Sequence, residues 1–243
     1  MPLTSQQSID NGILYRDFHV GLTVRARQAF GLLRGQTISR VLDVGCADAA
    51  FLTLFPPWVE KYGVDIAPSA HRPPDMRLVQ VDVSRDPLPF AMGVFDVVYA
   101  GEIIEHVLDT LAFLREVRRV LRPGGSVVLT TPNLCSLKNL YCWLTGRQLA
   151  WVDYKLGQHG HVRYFSPCSL RQVLTESGFQ VGEICTSGFE VGAHVRGLEF
   201  LTPVTRWIFA HSIRGNCLIS RAVKTTADPR NDRADKNDRD QRG

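Results

Sequence analysis

Glu102-Ile103-Ile104-Glu105-His106 is the stretch whose spacing alone suggests chemistry. If it is helical, positions i, i+3 and i+4 share a face, which sets Glu102, Glu105 and His106 side by side. Two carboxylates and an imidazole on one face can hold a divalent ion such as magnesium through oxygen and nitrogen. An imidazole near its unperturbed pKa of about 6.5 can instead act as a general base at neutral pH. A purely structural role for the trio is a third reading, and the residues leave all three open. Farther along, His159-Gly160-His161-Val162-Arg163-Tyr164-Phe165 supplies two more imidazoles. His106 is the first candidate base and His161 the second. His159 and His161 are also candidates for acceptor binding or further metal ligation, although a hydrogen-bonding structural role is the commoner fate of either alone.

These groups need a scaffold, and it begins at Val41–Leu52. A short apolar run, Val41 to Val44, carries one carboxylate, Asp43, and meets Gly45 at once. That pattern predicts a buried parallel strand, a tight turn and a helix start. In open α/β sheets a nucleotide-like ligand sits at such a turn, beyond the carboxyl end of the first strand. Glycine lets the backbone approach the ligand, and free N–H groups at the helix start face it. Asp65 closes a second strand-like run, Tyr62–Ile66, where an acid suits a ribose diol. The turn has one glycine where a dinucleotide fingerprint wants three, so it matches NAD poorly. Asp43 either helps position a cofactor amino group or hydrogen-bonds the turn amides; a buried carboxylate needs donors in both cases.

Five stretches in order carry a resemblance to class I S-adenosylmethionine-dependent methyltransferases of the small-molecule, ubiquinone-biosynthesis-like group. Val41–Ala47 resembles their first motif and Val64–Ser69 their second. Val79–Ser84 with Leu88-Pro89-Phe90 is similar to the third strand and its adenine-binding acid. Phe95–Val107 resembles the fourth strand, and Leu114–Leu129 the fourth helix and fifth strand. The resemblance implies a Rossmann-like α/β fold, a mostly parallel seven-stranded sheet with helices on both faces. It implies S-adenosylmethionine as cofactor, contacted by Asp43, Gly45, Cys46, Ala47, Asp65, Ile66, Asp82, Val83 and Gly101. Asp82 with Val83 would serve the adenine, although Asp82 can also be read as a turn or helix cap. The Glu102, Glu105, His106 spacing resembles the metal site of small-RNA 2′-O-methyltransferases and of some ubiquinone-pathway O-methyltransferases. Ala47 and Ala49 stand where the family usually has glycines. An alanine forced to positive φ there costs on the order of 1 kcal/mol.

The remaining elements position these groups. Apolar residues at three- and four-residue steps predict an amphipathic helix from Ile13 to Leu33, with Tyr15 and Arg25 as candidate lid residues. Strands are expected at Met76–Val83, Val94–Ala100, Ser126–Thr131, Phe179–Ser187 and Cys217–Val223, the last antiparallel. Helices are expected at Thr110–Leu121, Leu137–Leu149 and Ser169–Ser177. The arginines Arg115, Arg118, Arg119 and Arg122 read as a solvated helix face. Residues 1–224 read as one domain with substrate-cap insertions at about 134–166 and 189–215, and residues 225–243 as a disordered charged tail. The aromatic segment 198–213 reads by default as buried. As a surface, it would suit a homodimer or peripheral membrane contact.

At 243 residues the chain can bury one large core. A net charge of +4 does not demand nucleic acid. The six cysteines form no C-x-x-C pair or zinc spacing and read as reduced thiols of a cytoplasmic protein. No secretory leader or transmembrane run is expected. The expected activity is methyl transfer to a small-molecule acceptor, most simply O-methylation of a quinone, a lipid-linked sugar or a similar amphipathic molecule. A metal-assisted 2′-O-methyltransferase acting on nucleic acid is one rival. A non-catalytic module that binds the cofactor or a partner is another.

Overall fold

The computed structural model describes residues 23–68, 75–150, 152, 160–187 and 215–225. Tyr15, His159, the segment 198–213 and the tail from residue 226 lie outside the described residues, as does the 189–215 insertion apart from Gly215.

Strands β1 (Arg40–Val44), β2 (Glu60–Asp65), β3 (Met76–Gln80), β4 (Phe95–Gly101), β5 (Leu121–Pro132), β6 (Phe179–Ser187) and β7 (Cys217–Lys224) form one sheet in the order β3-β2-β1-β4-β5-β7-β6. The first five are parallel, and β7 runs antiparallel between β5 and β6. This is the expected sheet. Its direction of growth reverses between β1 and β4, so the crevice beyond Val44 and Ala100 is a topological switch point. Val64 and Leu129 sit level with those two residues, so four strands deliver their loops to one rim.

Both faces of the sheet are covered. Leu42, Val44, Val98, Ala100, Val127 and Leu129 pack against Phe113, Leu114, Val117 and Val120 of α2 (Thr110–Val120) and Leu170 and Leu174 of α4 (Pro167–Glu176). Val41, Val97, Tyr99, Val128 and Ile219 point the other way. They meet Ala26 and Ala29 of α1 (Val24–Gly31) and Phe51, Leu52 and Phe55 after β1. Strand alternation sorts one apolar run into two cores, as expected when both faces are buried. Asp109 caps α2 by accepting from the Ala112 amide at 2.9 Å, and Ser166 with Ser169 forms a capping box on α4.

Several elements differ from expectation. Of the Ile13–Leu33 helix, the described part is α1, started by the Thr23 cap. A 3-10 turn, Ala50–Leu54, replaces the helix expected after β1. β3 stops at Gln80. β5 extends back through Pro123-Gly124-Gly125, where the register with β4 shifts between Phe95 and Val97. Helix α3 (Leu137–Leu144) is shorter than expected because Gly146 takes a positive φ of 66° just beyond it. The arginines of α2 are not simply solvated. Arg118 donates to the Gly178 and Thr225 carbonyls, and Arg119 to those of Leu88 and Phe90, so this face pins neighbouring loops. All six cysteines are free. No helix among the described residues is long and apolar enough to cross a membrane.

Asp96, in the irregular register of β4, holds the opposite end of the sheet from the rim. Its Oδ2 accepts the Ser39 and Arg40 amides, each at 2.7 Å, and its Oδ1 meets Arg122. Replacing Asp96 with Ala strands two amides and an arginine. Urea denaturation is expected to show a loss of about 2 kcal/mol, typical of removing a charged acceptor of several donors.

Candidate functional site

The turn after β1 is a corner held under strain. Gly45 and Cys46 donate their amides to the Val64 carbonyl at 2.8 and 3.1 Å. Gly45, Ala47 and Ala49 all take positive φ, of 74°, 45° and 58°. The alanines therefore occupy the left-handed conformation that the glycine pattern implied, at a cost of about 1 kcal/mol each. Ala49 is fully buried in the aromatic core around Phe51, which helps to hold it there. A Cβ at Gly45 would lie 2.2 Å from Ile103 Cγ1, so the bare glycine also makes room for a side chain from the segment just beyond β4. Cys46 lies against Gly63, and burial, with the charges of Asp43 and Asp65, pushes its thiol pKa far up. It offers the site backbone only.

Three carboxylates gather at this corner. Asp65 accepts the Ala47 amide on Oδ2 at 2.9 Å and the Ala67 amide on Oδ1 at 2.8 Å. Asp48 accepts the Ala50 amide at 3.2 Å. Asp43 is buried at the end of β1; burial first, then Asp65 and Asp48, push its pKa well above the ordinary carboxylate value. A cationic ligand would relieve this repulsion, so the corner fits a positively charged group. Ile66 and Asp82 stand farther along the rim. The Ile66 carbonyl accepts from Gln80, and Asp82 accepts the Ser84 amide and pairs with Arg85 at 3.4 Å, the turn-capping geometry. Val83 lies in that turn, packed against the larger core.

Across the switch point the acidic stretch is rearranged. Glu102 takes a positive φ of 56°, and the 3-10 turn begins only at Ile104, so the expected helical face does not form. Glu102 turns to other partners. Its Oε1 accepts from Thr130 at 3.0 Å and lies 3.7 Å from Arg25 Nε and 3.4 Å from Cys217 Sγ. Gly101 is required just before it, since a Cβ there would come within 2.3 Å of the Tyr99 hydroxyl. The structure instead groups Glu105, His106 and His161, whose ligand-type atoms lie within 4.8 Å of one another. This set replaces Glu102, Glu105 and His106. One oxygen and two imidazole nitrogens suit a transition ion better than magnesium, which prefers oxygen alone.

Glu105 is 1% exposed. Its Oε2 accepts from Thr131 at 2.9 Å, and its Oε1 is buried with no hydrogen-bond partner. Burial, then the charge of Glu102, raises its pKa to about 8. Its backbone carbonyl accepts the amides of Val162 and Arg163 at 2.8 and 3.1 Å. That strap carries His161 to within 4.8 Å of His106, ring centre to ring centre. Burial, then His161, lowers the His106 pKa to about 4, against the pull of a hydrogen bond with the Gly160 backbone. Gly160 has a positive φ of 69°, and a Cβ there would sit 3.2 Å from His106 Nδ1. Thr131, Gly160 and Ile103 were not legible as site residues. Only Gly160, between two histidines, gave any hint.

A family model described as a methyltransferase domain matches residues 22–184. The chain is similar to the human mitochondrial ubiquinone biosynthesis O-methyltransferase, 37% identical over 87 residues, 36% of this chain and 23% of that protein. It is 29% identical over 161 residues to the Azorhizobium caulinodans ubiquinone biosynthesis O-methyltransferase, 62% of each. The chain thus spans less than two thirds of either relative. Among solved structures, it resembles a Burkholderia thailandensis 1,6-didemethyltoxoflavin-N1-methyltransferase with bound 1,6-didemethyltoxoflavin and S-adenosylhomocysteine. There the TM-score is 0.58 at 16% identity, over 93% of this chain and 92% of that one.

Two outcomes are expected. Gly45→Ala drives a methyl group into Ile103 and should cost about 2–3 kcal/mol, whereas Ala47→Gly should gain about 0.5–1 kcal/mol, both read from denaturation midpoints. The second concerns pH. The folded state keeps the Glu105 proton to about pH 8, while the unfolded chain loses it near the ordinary 4.5. The stability linked to Glu105 is therefore complete below about 4.5 and lost as pH rises through 8, by a few kcal/mol in order of magnitude. Thermal melts from pH 5 to 9 should show a smaller decline in Glu105→Gln than in the native protein.

Proposed function

The chain belongs to the methyltransferase-domain family, and from that premise we propose that it moves the methyl group of S-adenosylmethionine onto a hydroxyl of a small amphipathic acceptor. The observation that carries this reading is the arrangement across the switch point, with three carboxylates on one side and a half-buried pair of imidazoles on the other. S-adenosylmethionine brings an ammonium and a sulfonium, and the sulfonium supplies an activated methyl group. Asp43, Asp48 and Asp65 offset that positive charge. Gly45, Cys46 and Ala47 border the methionine end, and Asp65 with Ile66 the ribose. A carboxylate has about four acceptor positions, so Asp65 can take hydroxyls while keeping its two amides. Asp82 and Val83 border the adenine, and Gly101 closes the crevice from β4.

In the transfer, the sulfur–methyl bond breaks as the oxygen–methyl bond forms, and the hydroxyl proton leaves to a base. His106 is that base. With Nδ1 on the Gly160 side, Nε2 is the nitrogen left to receive the proton. At a pKa of about 4 His106 is always neutral near pH 7, but it is weak. It therefore matches a phenolic hydroxyl, as in a reduced quinone, better than an aliphatic alcohol. His161 is placed to pass the proton outward. The printed activity of the curated relatives, O-methylation in ubiquinone biosynthesis, supports the same acceptor class.

The unpartnered Glu105 Oε1 favours a second reading. Glu105, His106 and His161 would hold a divalent ion, which would polarise the acceptor hydroxyl.

Calorimetry is expected to show micromolar S-adenosylhomocysteine binding, and radiolabelled methyl transfer to catechol-type acceptors should follow. His106→Asn should lower kcat by about 10²-fold or more while leaving S-adenosylhomocysteine affinity within about twofold. No cofactor binding would favour a non-catalytic module, and methylation of RNA alone would favour the nucleic-acid reading. Activity lost to chelator and restored by one ion would move the chemistry to the metal.

A further inference from the structure

Helix α3 (Leu137–Leu144) is built inside out. A surface helix ordinarily turns its apolar stripe to the core. Here the two residues that face the protein are Asn139 and Cys142. Asn139 is 3% exposed and fastened on three sides. It donates to the Asn133 and Leu134 carbonyls at 3.3 and 3.2 Å and accepts the Ala150 amide at 2.8 Å. The large apolar residues point away: Leu140 is 38% exposed, Tyr141 54%, Trp143 71% and Leu144 69%. At about 100° per residue Leu140, Tyr141 and Leu144 fall roughly 100–200° round the helix from Asn139, and Trp143, about 40° from it, continues that exposed face to the edge of the buried side. A fastened polar side and four exposed apolar side chains mark a helix whose outer face is meant to be covered.

Charge indicates by what. Lys138 borders the face, and Arg147 lies beyond it with its guanidinium 5.5 Å from the centre of the Tyr141 ring. The sequence has no acidic residue between Glu116 and Asp153. Tryptophan, tyrosine and leucine bordered by cations are the make-up of a helix that lies in the headgroup region of an anionic membrane. A second copy suits the face less well. Two-fold pairing would bring the cations of each copy together, and eight residues offer much less than the roughly 800 Å² per partner of a stable dimer. We propose that α3 docks this protein on an anionic lipid surface through Leu140, Tyr141, Trp143 and Leu144, with Lys138 and Arg147 meeting the headgroups. The docking stands apart from the methyl-transfer reading. Were both to hold, an amphipathic acceptor would have a short path. α3 follows β5 by a few residues, and Asn133 there bridges to Phe165, at the end of the segment that carries His161.

Co-sedimentation of the full chain with vesicles tests this, using phosphatidylcholine alone and phosphatidylcholine with phosphatidylglycerol. The native protein should bind the anionic vesicles, with the emission of Trp143 shifting to the blue; the Trp143→Phe protein identifies that signal. Trp143→Ser combined with Leu144→Ser should weaken binding by about tenfold or more. Lys138→Glu combined with Arg147→Glu should abolish the preference for anionic lipid. S-adenosylhomocysteine affinity, measured alongside, should be unchanged in both proteins, which shows that they fold and separates this proposal from the activity. The proposal is overturned if no vesicle binding occurs or if the serine variant binds as well as the native protein. It also fails if Trp143 is already shielded without lipid, which would mean that the chain's own segments cover it. A dimer that the serine variant breaks would assign the face to a second copy instead.

Discussion

The site depends on one buried carboxylic acid. Glu105 joins three segments distant in sequence: its own 3-10 turn beyond β4, the end of β5 through Thr131, and the strap at residues 162–163 through its backbone carbonyl. Burying an acid is costly unless it stays neutral and hydrogen-bonded, and its pKa of about 8 records that compromise. Neutral, it can lie beside His106 without drawing that ring into an ion pair. Charged, it would pull a proton onto the imidazole and remove the proposed base. The strap, together with the hydrogen bond between His106 and the Gly160 backbone, brings His161 against His106.

Strain collects at the same rim. Ala47 and Ala49 on one side of the switch point, and Glu102 on the other, all hold left-handed backbone that their side chains disfavour. Each is held from outside. Asp65 holds the Ala47 amide, the aromatic core encloses Ala49, and Thr130 with Arg25 steadies Glu102. The Arg25 contact also ties α1 to the crevice, so the helix expected to cover the site is linked electrostatically to the strained residue at its centre.

The sheet was legible in the sequence because buried parallel strands leave apolar runs that end in glycine or aspartate, and Val41–Val44 and Phe95–Gly101 are such runs. The strain at Ala47 and Ala49 was legible too, because alanine stood where the pattern required glycine. Glu102 was misread for a physical reason. The i, i+3, i+4 rule holds only inside a helix, and one residue at positive φ breaks that phase before the first turn. Thr131 carries no signal, since a threonine near the end of a strand usually means no more than strand propensity. The inversion of α3 was hidden as well. Periodicity finds an apolar face but not which way it points, and here the anchoring of Asn139 decides the direction.

On the proposed chemistry, charge is graded across the crevice. Carboxylates gather where a cationic donor would lie, and two imidazoles where a neutral acceptor would enter. Methyl transfer to a hydroxyl leaves a neutral ether and one proton, and the positive charge leaves the sulfur with that proton. His106, half-buried and at a pKa of about 4, cannot keep it. It can only relay it, and His161 is the ring beside it. Burial first, with His161 beside it, makes the protonated state of His106 costly, so on this reading the proton is passed on and the base returns neutral for the next acceptor.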